Sequence, residues 1–254
     1  MMKYFLDTVE TIEEGVGFSY FGATHLFWLA IFIIFAGICC YVYSSSDTTI
    51  RLKLRKVMAF LIIGDEIFKI VMLLIGGNYG VKYLPLHLCS INIFIITYHV
   101  YKPSKMLDNF LYSICFPAAL AAIVAPSWIE LPFGNFMHMH SFTIHILLAT
   151  YPLMLVAGKD IKPDIREIPK SILFTAIMSV PIYFLNLLWD TNFMFLMSAE
   201  PGNPLYWFGE NFGHHLLGVP VIESLVLVVM YSPFYFMKKS KSGILKSKEE
   251  KTCA

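Results

Sequence analysis

Apolar runs follow one another along the whole chain, each of roughly 17–24 residues and long enough to cross ~30 Å of hydrocarbon as a helix. They fall at about residues 26–43, 54–76, 84–100, 107–124, 137–157, 170–190 and 214–237, with short polar connections between them. Backbone left unpaired in lipid is not tolerated, so each run is expected to be α-helical. No internal repeat interrupts the series. The pattern predicts an all-α, polytopic membrane protein of seven transmembrane helices in one domain, 1–254. Ahead of the first run, Phe5, Val9, Ile12 and Val16 recur at helical spacing among acidic residues. That spacing predicts a short amphipathic helix lying on the membrane surface over 1–20. Behind the last run, 238–254 is a basic, Lys- and Ser-rich tail.

Composition agrees with this pattern: 57% of residues are hydrophobic and only 15% charged. The positions of the charges add an orientation. Arg51, Lys53, Arg55, Lys56, Lys102, Lys105, Lys159, Lys162, Arg166, Lys170 and the six lysines of the tail all fall on one side of the predicted membrane. Only Lys3 and Lys82 fall on the other, and Lys69 lies within a span. Basic residues mark the cytoplasmic face, so the N-terminus is expected outside and the C-terminus inside. A net charge of +1 without a basic stripe excludes a nucleic-acid partner. Asp7, Glu10, Glu13 and Glu14 occupy the place of the basic region of a signal peptide, so none is expected. The five cysteines form no disulfide framework.

With that orientation, seven of the eight histidines fall in the outer half of the protein, His99 being the exception. Charges inside a membrane cost roughly 2.5–3.5 kcal/mol each and tend to be paired or functional. Asp65 and Lys69 are four apart on one helical face and read either as a self-neutralised pair or as the rim of a cavity, with Glu66 beside them. In "KYLPLHLCSINIF", residues 82–94, Pro85 suits the first turn of a helix. His87 then lies where a helix N-terminus favours negative charge, with Cys89 and Asn92 following. His87 and Cys89 are two apart, so their side chains diverge and do not form a dyad by themselves. Cys89 reads either as an inert core thiol or as a nucleophile. His138 and His140, near the interface, read as solvated, whereas the deeper His145 needs a partner or a task. Asn186, Asp190 and Asn192 close the sixth run and read as a helix-end cap or as part of a site. No His-x-x-x-His or Cys-x-x-Cys spacing occurs, so zinc at His138/His140 is only a second choice. Neither a metal nor another cofactor is expected.

The motifs "LPLHLC", "HILLATYPLML" and "DTNFMFLMSAEP", in that order behind the Asp65/Lys69 helix, resemble the YwaF family of bacterial membrane proteins across about residues 55–235. That family is similar to an animal transmembrane acyltransferase that moves acyl chains between phospholipids. The latter likeness is carried by Asp65, Lys69, Pro85, His87, His145, Asp190 and Asn192. It implies an integral, multi-pass protein of the bacterial plasma membrane, with a membrane lipid as substrate. It also implies catalytic roles for His87, His145, Asp190 and Cys89, and substrate contacts from Asp65, Glu66, Lys69, Asn92, Asn186 and Asn192. One position departs from the pattern. The animal enzyme's cysteine immediately precedes the histidine, where this chain has Leu86, and Cys89 comes three positions later.

Two functions are therefore carried forward. One is acyl transfer or ester hydrolysis on a lipid at an outward-facing polar site. The other is a transporter or small-molecule-binding protein using Asp65, Glu66, Lys69 and Glu223 as its polar path. Oligomeric state has no signature in the chain.

Overall fold

The computed structural model describes residues 3–199, 203–232 and 234, so the basic tail and Cys253 lie outside the described residues. Eight helices follow in order: α1 Ala23–Ser45, α2 Thr48–Ile75, α3 Leu88–Tyr101, α4 Lys105–Val124, α5 Phe136–Ala157, α6 Ile168–Trp189, α7 Pro204–Phe212 and α8 His215–Ser232. Among the described residues there is no strand. Five helices (α1, α4, α5, α6 and α8) are long and apolar enough to cross a membrane.

The other two predicted spans differ for physical reasons. Helix α2 has the length, 28 residues, but carries Asp65, Glu66 and Lys69 along its course. It also begins earlier than its apolar run, because Asp47 Oδ1 accepts from the Thr49 and Ile50 amides at 2.8 and 2.9 Å. Helix α3 has only 14 residues, about 21 Å at 1.5 Å per residue. It starts at Leu88 with His87 as its N-cap, so Pro85 precedes the helix rather than occupying its first turn. Helix α7 was not anticipated; Asn203 caps it and Pro204 opens it.

Helix α5 is the axis of the bundle, packed on α1, α2, α3 and α4, and is buried almost all round. An apolar helix with no polar face belongs in such a place. In α4 the Phe116 amide reaches back five residues to Leu111, making one π turn just before Pro117. Helices α6 and α8 instead expose rows of large apolar side chains, including Ile177, Val180, Phe184, Leu188, Leu225 and Val228, as lipid-facing helices do.

Residues 3–22 are a run of turns rather than the expected amphipathic helix. The segment is tied down as a strap. Asn135 Nδ2 donates to the Tyr4 and Asp7 carbonyls (2.7 and 2.8 Å), Asn78 Nδ2 to the Leu6 carbonyl (3.1 Å), and the Phe18 amide to Ile129 O (2.8 Å). At Gly17 a Cβ would run into the Ile129 carbonyl, so the close crossing requires glycine.

The opposite end of the bundle is closed by a polar clamp. Buried Tyr43 donates to Asp160 Oδ2 at 2.5 Å, and Arg55 reaches both the Tyr43 hydroxyl (2.6 Å) and Asp160 (2.5 Å). Arg51 Nε donates to the Tyr43 and Ser46 carbonyls (3.0 Å each), while its Nη1 donates to Gly158 O (2.9 Å) and Asp160 Oδ1 (3.1 Å). Two of the arginines that suggested sidedness thus also join the α1–α2 turn to the end of α5.

Candidate functional site

The charged residues of α2 do not pair as their spacing suggested. Lys69 bonds Glu66, three residues earlier, at 2.5 Å, and both side chains are buried. Asp65 turns instead to α5, accepting from the Thr143 hydroxyl at 3.0 Å. Its Oδ2 lies 3.1 Å from His140 Nδ1, off the axis of a hydrogen bond, so both atoms are left without a hydrogen-bond partner. The other ring nitrogen of His140 faces Glu66 at 3.9 Å. Because His140 presents a different nitrogen to each carboxylate, these three do not converge on one point as metal ligands would. The Lys69 ammonium also donates to the Tyr83 carbonyl (3.4 Å), which ties α2 to the segment ahead of α3.

His145 lies two residues beyond Thr143 on α5, and His87 follows the segment whose Tyr83 carbonyl accepts from Lys69. Their ring nitrogens are held in opposite states. His87 Nδ1 accepts from the Met194 amide at 3.3 Å. An accepting ring nitrogen carries no proton, so the proton of the neutral ring is on Nε2. His145 Nδ1 lies 2.6 Å from the Ser141 carbonyl, which can only accept. Its proton is therefore on Nδ1 and its Nε2 carries a bare lone pair. The Trp128 ring stacks on His145 with centroids 5.2 Å apart, and Trp128 Nε1 is buried without a hydrogen-bond partner.

The loop after α6 completes this end. Asn186 Oδ1 accepts from the Thr191 hydroxyl (2.9 Å) and the Phe193 amide (2.9 Å), and its Nδ2 donates to Phe193 O (3.0 Å). Asn192 binds Ser198 and the Met197 amide, and His215 Nε2 donates to Phe195 O at 2.8 Å. These ties hold Asp190, Met194 and Phe195 at φ values of 51, 58 and 53°, a left-handed region that costs a non-glycine residue energy. The loop in turn presents the Met194 amide to His87 and packs Phe193 against its ring at 5.2 Å.

The structure thus joins Glu66 to Lys69 and Asp65 to Thr143, with His140 facing both carboxylates and His145 further along the same helix. Asn186 and Asn192 serve the loop that positions His87. Asp190 is exposed at the end of α6 and is not joined to either imidazole by a hydrogen bond. Cys89 packs against the apolar core. Asn92 is buried with neither its amide nitrogen nor its oxygen paired. His138 and His140 are buried rather than solvated. His138 accepts from Trp28 Nε1 (2.9 Å) and donates to Leu131 O (3.0 Å), and so serves packing. Sequence reasoning missed Trp128 and Thr143. Thr143 sits one turn from His140, but nothing in its spacing names Asp65 as its partner.

Fold and site together define a multi-helix membrane protein whose charged and imidazole groups are gathered among apolar helices. Residues 20–231 match the family model described as the TMEM164 family, and the chain belongs to that family. No curated protein and no solved structure matches it.

Proposed function

We propose that this protein is a membrane-embedded lipid acyltransferase or lipid-ester hydrolase. The observation that carries the reading is the opposed state of two imidazoles: His145, its Nδ1 on the Ser141 carbonyl, offers a bare Nε2, and His87, its Nδ1 accepting from Met194, offers Nε2–H. A base and a hydrogen-bond donor in one site are what ester chemistry needs. In the step envisaged, His145 Nε2 takes the proton of water or of an acceptor hydroxyl as that oxygen attacks the acyl carbonyl. His87 Nε2–H donates to the oxyanion that forms, near the N-terminus of α3. When the intermediate collapses, the leaving alkoxide recovers the proton from His145. Cys89, packed into the core, favours direct transfer over an acyl-enzyme. The YwaF resemblance points the same way, and we propose with it seven spans, the N-terminus outside and a site open to the outer leaflet.

A second reading has its own observation. At the other end of the bundle, buried His99 bonds Tyr151 (2.9 Å) and Asp108 (2.8 Å) beside a cavity of about 260 Å³. Polar groups at both ends suit a proton-coupled carrier better than a one-sided enzyme.

The test is the lipid composition of cells expressing each variant. His87→Ala and His145→Ala should each lose lipid turnover by roughly 10²–10⁴-fold while still folding and extracting normally. Cys89→Ala should retain it. Full turnover in both histidine variants sinks the enzyme reading, whereas loss in Cys89→Ala with a trapped thioester in the wild type restores the covalent route.

A further inference from the structure

Trp128, in the connection between α4 and α5, is buried, yet its Nε1–H has no hydrogen-bond partner. A buried donor left unpaired costs stability, and a phenylalanine would fill most of the same space without that cost. What the indole supplies is its face. It lies nearly parallel to the His145 ring, with 14° between the planes and 5.2 Å between centroids. Phe142 stands across it at 82°. Bonds from far along the chain hold it there. The Tyr20 hydroxyl donates to the Pro126 carbonyl (3.2 Å) and the Phe18 amide to the Ile129 carbonyl (2.8 Å), so the strap grips the connection on both sides of Trp128. At Gly17 an added Cβ would lie 2.0 Å from the Ile129 oxygen. The Leu131 amide closes the turn on the Trp128 carbonyl at 3.2 Å. The His145 ring itself has a local tie, from Nδ1 to the Ser141 carbonyl of its own helix. One such bond lets a ring tilt and turn; a second surface is needed to fix its plane.

We infer that Trp128 is the positioning residue of His145: its indole face, gripped through the strap, keeps Nδ1 on the Ser141 carbonyl and leaves Nε2 bare. This rests on the reading of His145 as a base and adds what keeps it one. The face also suits the step itself. When Nε2 takes the proton of water or of an acceptor hydroxyl, the ring becomes a cation, and a Trp face within about 6 Å attracts a cation. Residues 17–20 of the strap thereby serve the site without contributing a group to it. The connection is a support for the imidazole, and the unpaired Nε1–H is the cost of using the largest aromatic face.

The experiment is nitrogen NMR of the full chain in lipid nanodiscs with isotope-labelled histidine rings, the His145 signals being assigned by their loss in His145→Ala. Turnover of an ester phospholipid is measured alongside. Wild-type protein should show one form of His145, protonated at Nδ1. Trp128→Phe keeps a ring face without the N–H, and should keep that form and most of the turnover. Trp128→Leu should show a mixture of Nδ1–H and Nε2–H forms, and kcat should fall by roughly 10–10²-fold with KM unchanged, as for a misplaced group. Gly17→Ala leaves Trp128 in the chain but displaces the Ile129 carbonyl, and should give the same mixture; it takes the place of Trp128→Leu should that variant not fold. A single Nδ1–H form in folded Trp128→Leu would overturn the proposal. Equal loss in Trp128→Phe would place the effect on the indole N–H and overturn it too. A mixture in the wild type overturns it without any variant. Absence of ester turnover in wild-type protein sinks the reading of His145 as a base, while the NMR arm still decides whether Trp128 holds the ring.

Discussion

At the scale of residues, the charged cluster on α2 shows what spacing can and cannot give. Asp65 and Lys69, four apart, look like the pair, yet Lys69 sits on Glu66 and Asp65 on α5. Both i,i+3 and i,i+4 neighbours lie within reach on a helix, and the choice between them falls to whatever packs alongside. Here Thr143 and His140 draw Asp65 away. The consequence is measurable. Lys69→Met leaves the Glu66 carboxylate buried without its cation, a loss of roughly 3–5 kcal/mol for a broken buried pair. Glu66→Gln in the same chain should recover much of the folded yield, and Asp65→Asn should not. Rescue by Asp65→Asn instead would return the pairing to the one that spacing suggests.

At the scale of elements, the apolar runs predicted the long helices well, because burial in a bundle and burial in lipid both demand continuous apolar surface. Boundaries were set by polar chemistry that hydropathy does not weigh: Asp47 starts α2 early, and α3 waits until after His87. The N-terminal strap was missed because its helical periodicity competes with side chain–backbone bonds, such as the Thr8 amide to Thr11 Oγ1 at 2.9 Å, and with anchors far along the chain. The site was half legible. His87 and His145 stood out as imidazoles in apolar runs, but their complementary protonation depends on Met194 and Ser141 carrying the right backbone groups. The loop 190–198 is the element on which His87 depends, and Asn186 is its main tie. Asn186→Ala leaves the Phe193 amide unpaired, at about 1–3 kcal/mol for a buried group, and leaves the Phe193 carbonyl only the Leu196 amide at 3.4 Å. Amide hydrogen exchange across 190–198 should rise sharply and turnover should fall, with α5 unaffected. Unchanged exchange in that loop would show that Asn186 does not hold it.

At the scale of the whole molecule, the two ends are tied differently. One is covered by the strap and the 190–198 loop, and the other is locked by Tyr43, Arg51, Arg55 and Asp160. Burial raises the Asp160 pKa, but the Tyr43 hydroxyl and then the two guanidinium groups outweigh it and hold the carboxyl below its ordinary value. A carboxylate depressed on folding contributes stability above its unfolded pKa and loses it as pH falls through the folded one. The clamp should therefore be intact at neutral pH and fail only below the ordinary Asp range. Asp160→Asn should cost roughly 1.5–3 kcal/mol at neutral pH, as charge-assisted hydrogen bonds do, and little in strong acid. Thermal melts of wild type and variant across pH should converge on acidification. A gap that stays constant would assign the loss to packing rather than to charge.

The joining of these scales in one active molecule is tested most directly by purified protein in vesicles of a single ester phospholipid, with an alcohol or lysophospholipid acceptor present. Acyl transfer or release of free acid is followed by mass spectrometry. Wild-type protein should turn the ester over, Cys89→Ala should match it, and His145→Ala should lose activity by roughly 10²–10⁴-fold. If well-folded wild-type protein leaves the ester intact while moving protons across the same vesicles, the histidines serve a carrier and the proposal of lipid ester chemistry is wrong.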